Sequence, residues 1–143
     1  MDRIIISRAQ PDELEKVRMF YTHVGYTNAN NIKETDLIFV ARNEQNNFVG
    51  VVRLVRENEI SVLRGMQVHP AYQKKGIGSQ LLHALEKEIN DTCYCLAHEW
   101  LENFYGKAGF KRIDDTELPG FLQQRLHKYR TTDYPMLLAL KRA

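Results

Sequence analysis

The sequence is poor in cross-linking residues, in long apolar runs and in excess charge of either sign. It has two cysteines in 143 residues, Cys93 and Cys95. They stand two apart in a stretch that reads as a strand, so they share a face and have no reason to pair as a disulfide. With no His partners at ligand spacing they make no zinc site, and no metal is expected. Small buried thiols are the reading. No apolar run approaches the ~20 residues of a membrane span. Lys plus Arg is 20 against 18 for Asp plus Glu, a net charge of +2. That balance argues for neither a nucleic-acid nor a membrane partner. The opening Met1-Asp2-Arg3-Ile4-Ile5-Ile6 is too short and too quickly polar for a signal peptide. A reducing, cytoplasmic location is the expectation. Repeats, low-complexity tracts and linkers are also missing. What remains is ordinary: 43% hydrophobic and 27% charged residues, in a length that suits a single domain over 1–143.

The most informative stretch runs from Val62 to Leu82. Met66 and Val68 alternate with Gln67 as in a strand. Pro70 ends it, because it has no N–H to give and keeps His69 out of the helical region. Beyond, Leu81, Leu82, Leu85 and Ile89 recur at helical spacing, with Glu86, Lys87 and Glu88 outward. Gln73 to Gly78 therefore lies at a helix N-terminus, where backbone N–H groups lack partners and carry partial positive charge. Gly76 and Gly78 let an anion approach the backbone and let the loop take φ > 0. Lys74 and Lys75 add charge. This pattern predicts a site for phosphate or pyrophosphate. It is not a P-loop, since Gly78-Ser79-Gln80 lacks the Lys. It is not a dinucleotide fingerprint, since Leu81 stands where a third small residue belongs.

The other elements follow from pattern. Arg3–Arg8 reads as a first strand. Pro11-Asp12-Glu13 starts a helix whose buried stripe is Leu14, Val17, Met19, Phe20 and Val24. The polar, asparagine-rich 26–36 reads as a mobile loop with a helical turn. Asp36–Arg42 and Phe48–Arg56 form a hairpin about Asn43–Asn47. Glu57-Asn58-Glu59 turns into the strand that ends at Val68. After the central helix, Thr92–Ala97 reads as a strand parallel to its predecessor, because a helix intervenes. A second helix over Glu99–Ala108 ends at Gly109. Phe110–Ile113 begins another strand. Asp114–Pro135 is a long connection, helical over Phe121–Tyr129. Met136–Leu140 is the last strand and could pair with a second copy. Trp100 and His69 read as structural, His83 as surface. The expectation is an α/β fold: a mixed, mostly antiparallel sheet flanked by helices.

Two motifs carry a resemblance. Gln-x-x-Gly-x-Gly after a strand ending in Val-x-Pro is similar to the acyl-coenzyme A loop of the GNAT family of N-acetyltransferases. Phe104-Tyr105-Gly106-Lys107-Ala108-Gly109-Phe110 resembles that family's segment Phe-Tyr-x-[Lys/Arg]-x-Gly-Phe, at the family's distance. The resemblance covers the chain from about Asp36 to the end. It implies a parallel strand pair that splays to admit a pantetheine arm beside Met66, Gln67 and Val68. It implies a pyrophosphate on the N–H groups of Gln73, Lys74, Lys75, Gly76, Ile77, Gly78 and Ser79. It also implies acetyl-CoA as co-substrate, direct attack by a primary amine, the Val68 N–H facing the thioester carbonyl, and Tyr105 as general acid.

The chain departs from the family pattern in three places. His98 stands where many relatives carry an Asn. Leu63-Arg64 stands where some carry a Glu as general base, which leaves Glu59, Glu99, His98 or a water chain. The 114–135 connection is long and basic, through Arg125, His127, Lys128 and Arg130. It reads either as a solvated helix or as a lid for a carboxylate or phosphate on the acceptor. The resemblance thus predicts an acetyltransferase acting on a small-molecule or peptide amine, as monomer or homodimer. The alternative is a coenzyme A-binding sensor of the same fold that has lost turnover.

Overall fold

A computed structural model describes residues 3–26 and 32–143. Seven strands form one sheet in the order β1-β2-β3-β4-β5-β7-β6. They are β1 (Ile5–Arg8), β2 (Leu37–Arg42), β3 (Phe48–Glu57), β4 (Ile60–Val68), β5 (Cys93–His98), β6 (Lys111–Arg112) and β7 (Leu137–Arg142). Four α-helices accompany them: α1 (Leu14–His23), α2 (Ile77–Glu86), α3 (Glu102–Gly106) and α4 (Gly120–Thr132). All strand pairs are antiparallel except β4 with β5. The α2 crossover imposes that exception, as the sequence pattern predicts.

The two faces follow from strand alternation. On β2, Ile38 and Val40 pack under α1 with Val17, Phe20 and Tyr21. Ala41 faces the other way, into the cluster of Ile77, Leu81, Leu82 and Leu85 from α2. On β5, Cys93, Cys95 and Ala97 join that same cluster, which also takes Tyr105 of α3. On β7, Leu137 and Ala139 meet Leu122 and Leu126 of α4, while Leu138 and Leu140 turn to the α2 side. So α2 and α3 cover one face, and α1 and α4 share the other.

Several expectations need correction. Met19 is exposed rather than part of the buried stripe, and Tyr21 fills the place beneath the helix instead. Trp100 is 70% exposed and is not a packing residue. The expected Glu99–Ala108 helix begins as a 3-10 turn at Glu99–Leu101 before α3. Of the predicted 26–36 loop, 27–31 lie outside the described residues. The rest holds Ile32 and Asp36, both buried. The last strand is not a free edge, since β7 lies between β5 and β6. On that side β6 pairs with β7 only at Leu140 and Lys141.

Candidate active site

The parallel pair is brief. Ser61, Val62 and Leu63 pair with Cys93, Tyr94 and Cys95, and there the ladder stops. Both strands run on, β4 to Val68 and β5 to His98. The cause lies on the other side of β4. Between Val51 and Arg53 of β3 the register moves from Gln67 to Arg64, so Gly65 and Met66 together oppose one residue. That is a β-bulge, which bends its strand. Gly65 sits at φ +65°. A Cβ there would lie 2.5 Å from the Tyr21 hydroxyl, so the site excludes larger residues on two grounds.

The splay opens a cavity of about 150 Å³. Met66 and Gln67 line it from β4, Cys95, Ala97 and His98 from β5, and Tyr105 from α3. The His69 N–H donates to the Val49 carbonyl at 2.8 Å. Antiparallel bonding alternates, so the N–H and C=O of Val68 point to the opposite edge, where β5 has parted from β4. The Gln73 Nε2 donates to that Val68 carbonyl at 3.1 Å.

Tyr105 is 4% exposed and sits between the rings of Phe104 and Phe110. Burial, and then the neighbouring Cys95 thiol, push its pKa well above that of an ordinary tyrosine. Its hydroxyl is therefore neutral and holds a proton. Burial likewise pushes the Cys93 thiol up to about 12 and Cys95 upward. Both stay thiols. His98 stacks on Trp100 at 4.4 Å and meets Tyr134 edge-on at 5.2 Å. Burial lowers its pKa, which favours the neutral imidazole. Of the other bases considered, Glu59 and Glu99 are exposed, and neither lines the cavity.

The glycine loop follows β4. Gly76 is the N-cap of α2 at φ +81°, and the helix has neither a side-chain cap nor an acid in its first turn. The Gln80 N–H is bonded to the Gly76 carbonyl. The preceding N–H groups of Ile77, Gly78 and Ser79 have no acceptor within the helix. A Cβ on Gly76 would meet no protein atom within 4 Å. Positive φ falls on Gly76 and on Lys74, not on Gly78 as the glycine pattern suggested. Gly78 instead lies against Phe104. The Gln73 N–H turns back to the Pro70 carbonyl, and the Ile77 side chain is core. The backbone from Lys74 to Ser79, with the two lysines, thus forms an exposed loop that ends in an uncapped helix N-terminus.

Tyr26, Arg64, Arg125, Tyr129 and Tyr134 line the same cavity; the sequence singled out Arg64 and the basic connection that holds Arg125, but not the three tyrosines beside them. Arg125 grips Glu57 with both terminal nitrogens, at 2.9 and 2.6 Å. Burial would raise the Glu57 pKa, but hydrogen bonds from Arg125 and nearby guanidiniums hold it below the usual carboxylate range. Arg130 is tied to Asp115 and to the Leu137 carbonyl, so it fastens α4 rather than facing a ligand. No signal in the sequence separated these roles, because each depends on which strand faces α4. Among the described residues, no group of three or more His, Cys, Asp or Glu could hold a metal ion. None of the described helices is long and apolar enough to cross a membrane.

Residues 34–112 match the family model of the acetyltransferase (GNAT) domain, more than half of the chain. No curated protein matches the chain. Among solved structures, an acetyltransferase of the GNAT family from Staphylococcus aureus Mu50 superposes with TM-score 0.67 at 19% identity, over 98% of each chain. The PaiA N-acetyltransferase of Thermoplasma acidophilum, in complex with coenzyme A, gives 0.63 at 18% identity over 98% of each chain. The N-acetylglutamate synthase of Neisseria gonorrhoeae, complexed with coenzyme A and N-acetyl-glutamate, gives 0.64 at 20% identity. That alignment covers 98% of this chain and 35% of the synthase. At these identities the likeness is one of fold.

Proposed function

This chain belongs to the GNAT acetyltransferase family, and from that premise we propose that residues 1–143 act as one domain that moves the acetyl group of acetyl-CoA to a primary amine. The observation that carries the reading is the splay between β4 and β5, whose cavity is lined in part by Tyr105 while β4 leads into an uncapped helix N-terminus. The donor supplies an activated acyl group. A C–N bond forms as the C–S bond breaks, the amine gives up a proton and the departing sulfur gains one.

The residues divide that work. The backbone of Met66, Gln67 and Val68 lines the donor's arm, with the Gln73 side chain braced on Val68. The N–H groups from Lys74 to Ser79, including those of Gly76, Ile77 and Gly78, hold the pyrophosphate with Lys74 and Lys75 beside it. The Val68 N–H faces the thioester oxygen and stabilises the negative charge that grows there. Tyr105, kept neutral by burial, gives its proton to the leaving sulfur. His98, kept neutral in the same cavity, takes the proton from the amine. No step calls on a metal.

A second reading rests on Arg64, which occupies strand space where a carboxylate base would serve. In that reading the chain binds coenzyme A without turnover. Free-thiol release against a panel of amines, with calorimetry of coenzyme A binding, separates the two. Release above the no-acceptor background is the expected result. Donor binding with no release for any amine selects the second reading, and absence of donor binding overturns both.

A further inference from the structure

We infer that the acceptor amine carries a carboxylate, and that Arg64 receives it at the outer end of the cavity. The inference rests on the acetyl-transfer reading and adds the acceptor class to it. The described lining contains two guanidiniums, Arg64 and Arg125, and no Asp or Glu. Residues 27–31, which adjoin Tyr26, include no acid in the sequence. Among the described residues, Glu57 is the one carboxylate in contact with these two guanidiniums, and it is not part of the lining. Arg125 takes the close, two-pronged geometry. Arg64 is left with Nη1 at 3.5 Å from the same carboxylate and Nη2 at 3.4 Å from the Tyr129 hydroxyl. Both contacts are long for hydrogen bonds to a guanidinium.

One carboxylate thus faces two guanidiniums, and the Arg64 side chain is only 10% exposed. A third, Arg53, sits opposite Arg64 on β3. It is fully buried beside the Tyr21 ring with Asp36 at 3.6 Å, and none of its guanidinium nitrogens makes a hydrogen bond of good geometry among the described residues. The local balance is positive, in a place where a charge wants a counter-ion. A polycationic amine meets repulsion here. An amine with a carboxylate brings the missing negative charge, and a guanidinium fork can bind both of its oxygens. Tyr26, Tyr129 and Tyr134 wall the same space, which suits the side chain of an amino acid better than an extended polyamine.

The test uses matched acceptors: each of the common amino acids, its carboxamide, its decarboxylated amine where one exists, and spermidine. Thiol release is measured for the wild-type chain with acetyl-CoA. The expected result is a kcat/KM at least about tenfold higher for a carboxylate form than for its neutral partners. Arg64→Gln then raises KM for that acceptor by about ten- to a hundred-fold and leaves the amide's KM nearly unchanged, and Arg64→Lys recovers part of the loss. Equal or better turnover of amides, of decarboxylated amines or of spermidine overturns the inference. If no amine turns over, N-acetyl-amino acids and their amides are titrated into the coenzyme A-saturated protein. Carboxylate-selective binding that Arg64→Gln abolishes supports the inference, and no binding of any carboxylate form overturns it. A protein that fails to bind coenzyme A overturns the donor reading beneath it as well.

Discussion

The Tyr21 hydroxyl donates to the Gly65 carbonyl at 2.8 Å, and this bond joins α1 to the bulge from which β4 bends away. Tyr21 is fully buried, with the Arg53 guanidinium 5.5 Å from its ring centre. Burial raises the Tyr21 pKa, so the phenol stays protonated and remains a donor. The geometry of the splay is therefore tied to a helix packed on the face of the sheet.

Tyr21→Phe keeps the ring and leaves the Gly65 carbonyl without its donor. A loss of about 1–2 kcal/mol in unfolding free energy is expected, read by urea denaturation. Gly65→Ala meets both the positive φ and the Tyr21 oxygen, and its loss should exceed about 2 kcal/mol. A Gly65→Ala protein as stable as the wild type would show that the bulge relaxes freely.

Tyr105→Phe tests the proton donor. The ring stays packed between Phe104 and Phe110 while the hydroxyl is removed. The kcat should fall by about ten- to a thousand-fold with coenzyme A affinity nearly intact. An unchanged kcat removes Tyr105 from that role.

Gly76→Val tests the anion cradle. The new side chain would stand in open space beside the loop, on a backbone conformation that β-branched residues avoid. Calorimetry should show coenzyme A binding weakened by about tenfold or more. The fold should persist, because a Cβ at Gly76 meets no protein atom within 4 Å. Unaltered affinity would mean that the pyrophosphate sits elsewhere.

Acid stability should depend on Glu13. Arg42 binds both of its oxygens, at 2.6 and 2.7 Å. Those hydrogen bonds hold the Glu13 pKa at about 2, down from 4.5. A folded-state pKa below the unfolded one stabilises the fold above the unfolded value, and that contribution fades as pH falls through the folded value. Glu13→Gln should therefore be less stable than the wild type at neutral pH, with the gap closing between pH 4.5 and about 2. Melting temperatures measured across that range would reveal it, and a gap that stays constant would show that the pair contributes no titrating stability.

Much of the fold was legible because it rests on local chemistry. Pro70 must stop β4, Gly76 permits the turn, and the leucine spacing of α2 requires an apolar face beneath it. The α2 crossover sets the parallel pairing of β4 with β5, and the two motifs around Gly76 and Tyr105 carry the family resemblance. Other features depended on neighbours distant in sequence. Met19 and Tyr21 lie on one helix, and only its seating on β2 and β3 decided which was buried. Trp100 looked like packing, yet it stands exposed after β5, stacked on His98. Arg53 and Arg64 are strand arginines of the same type, yet the surrounding elements buried the side chain of the first completely and left the second only 10% exposed. The sequence by itself determined the elements, their order and the glycine loop, because those follow from periodicity and backbone sterics between near neighbours. Only the tertiary structure decided the bulge at Gly65, the end of pairing after Leu63 and the charge balance among Glu57, Arg64 and Arg125, because each is set by contacts between segments far apart in the chain.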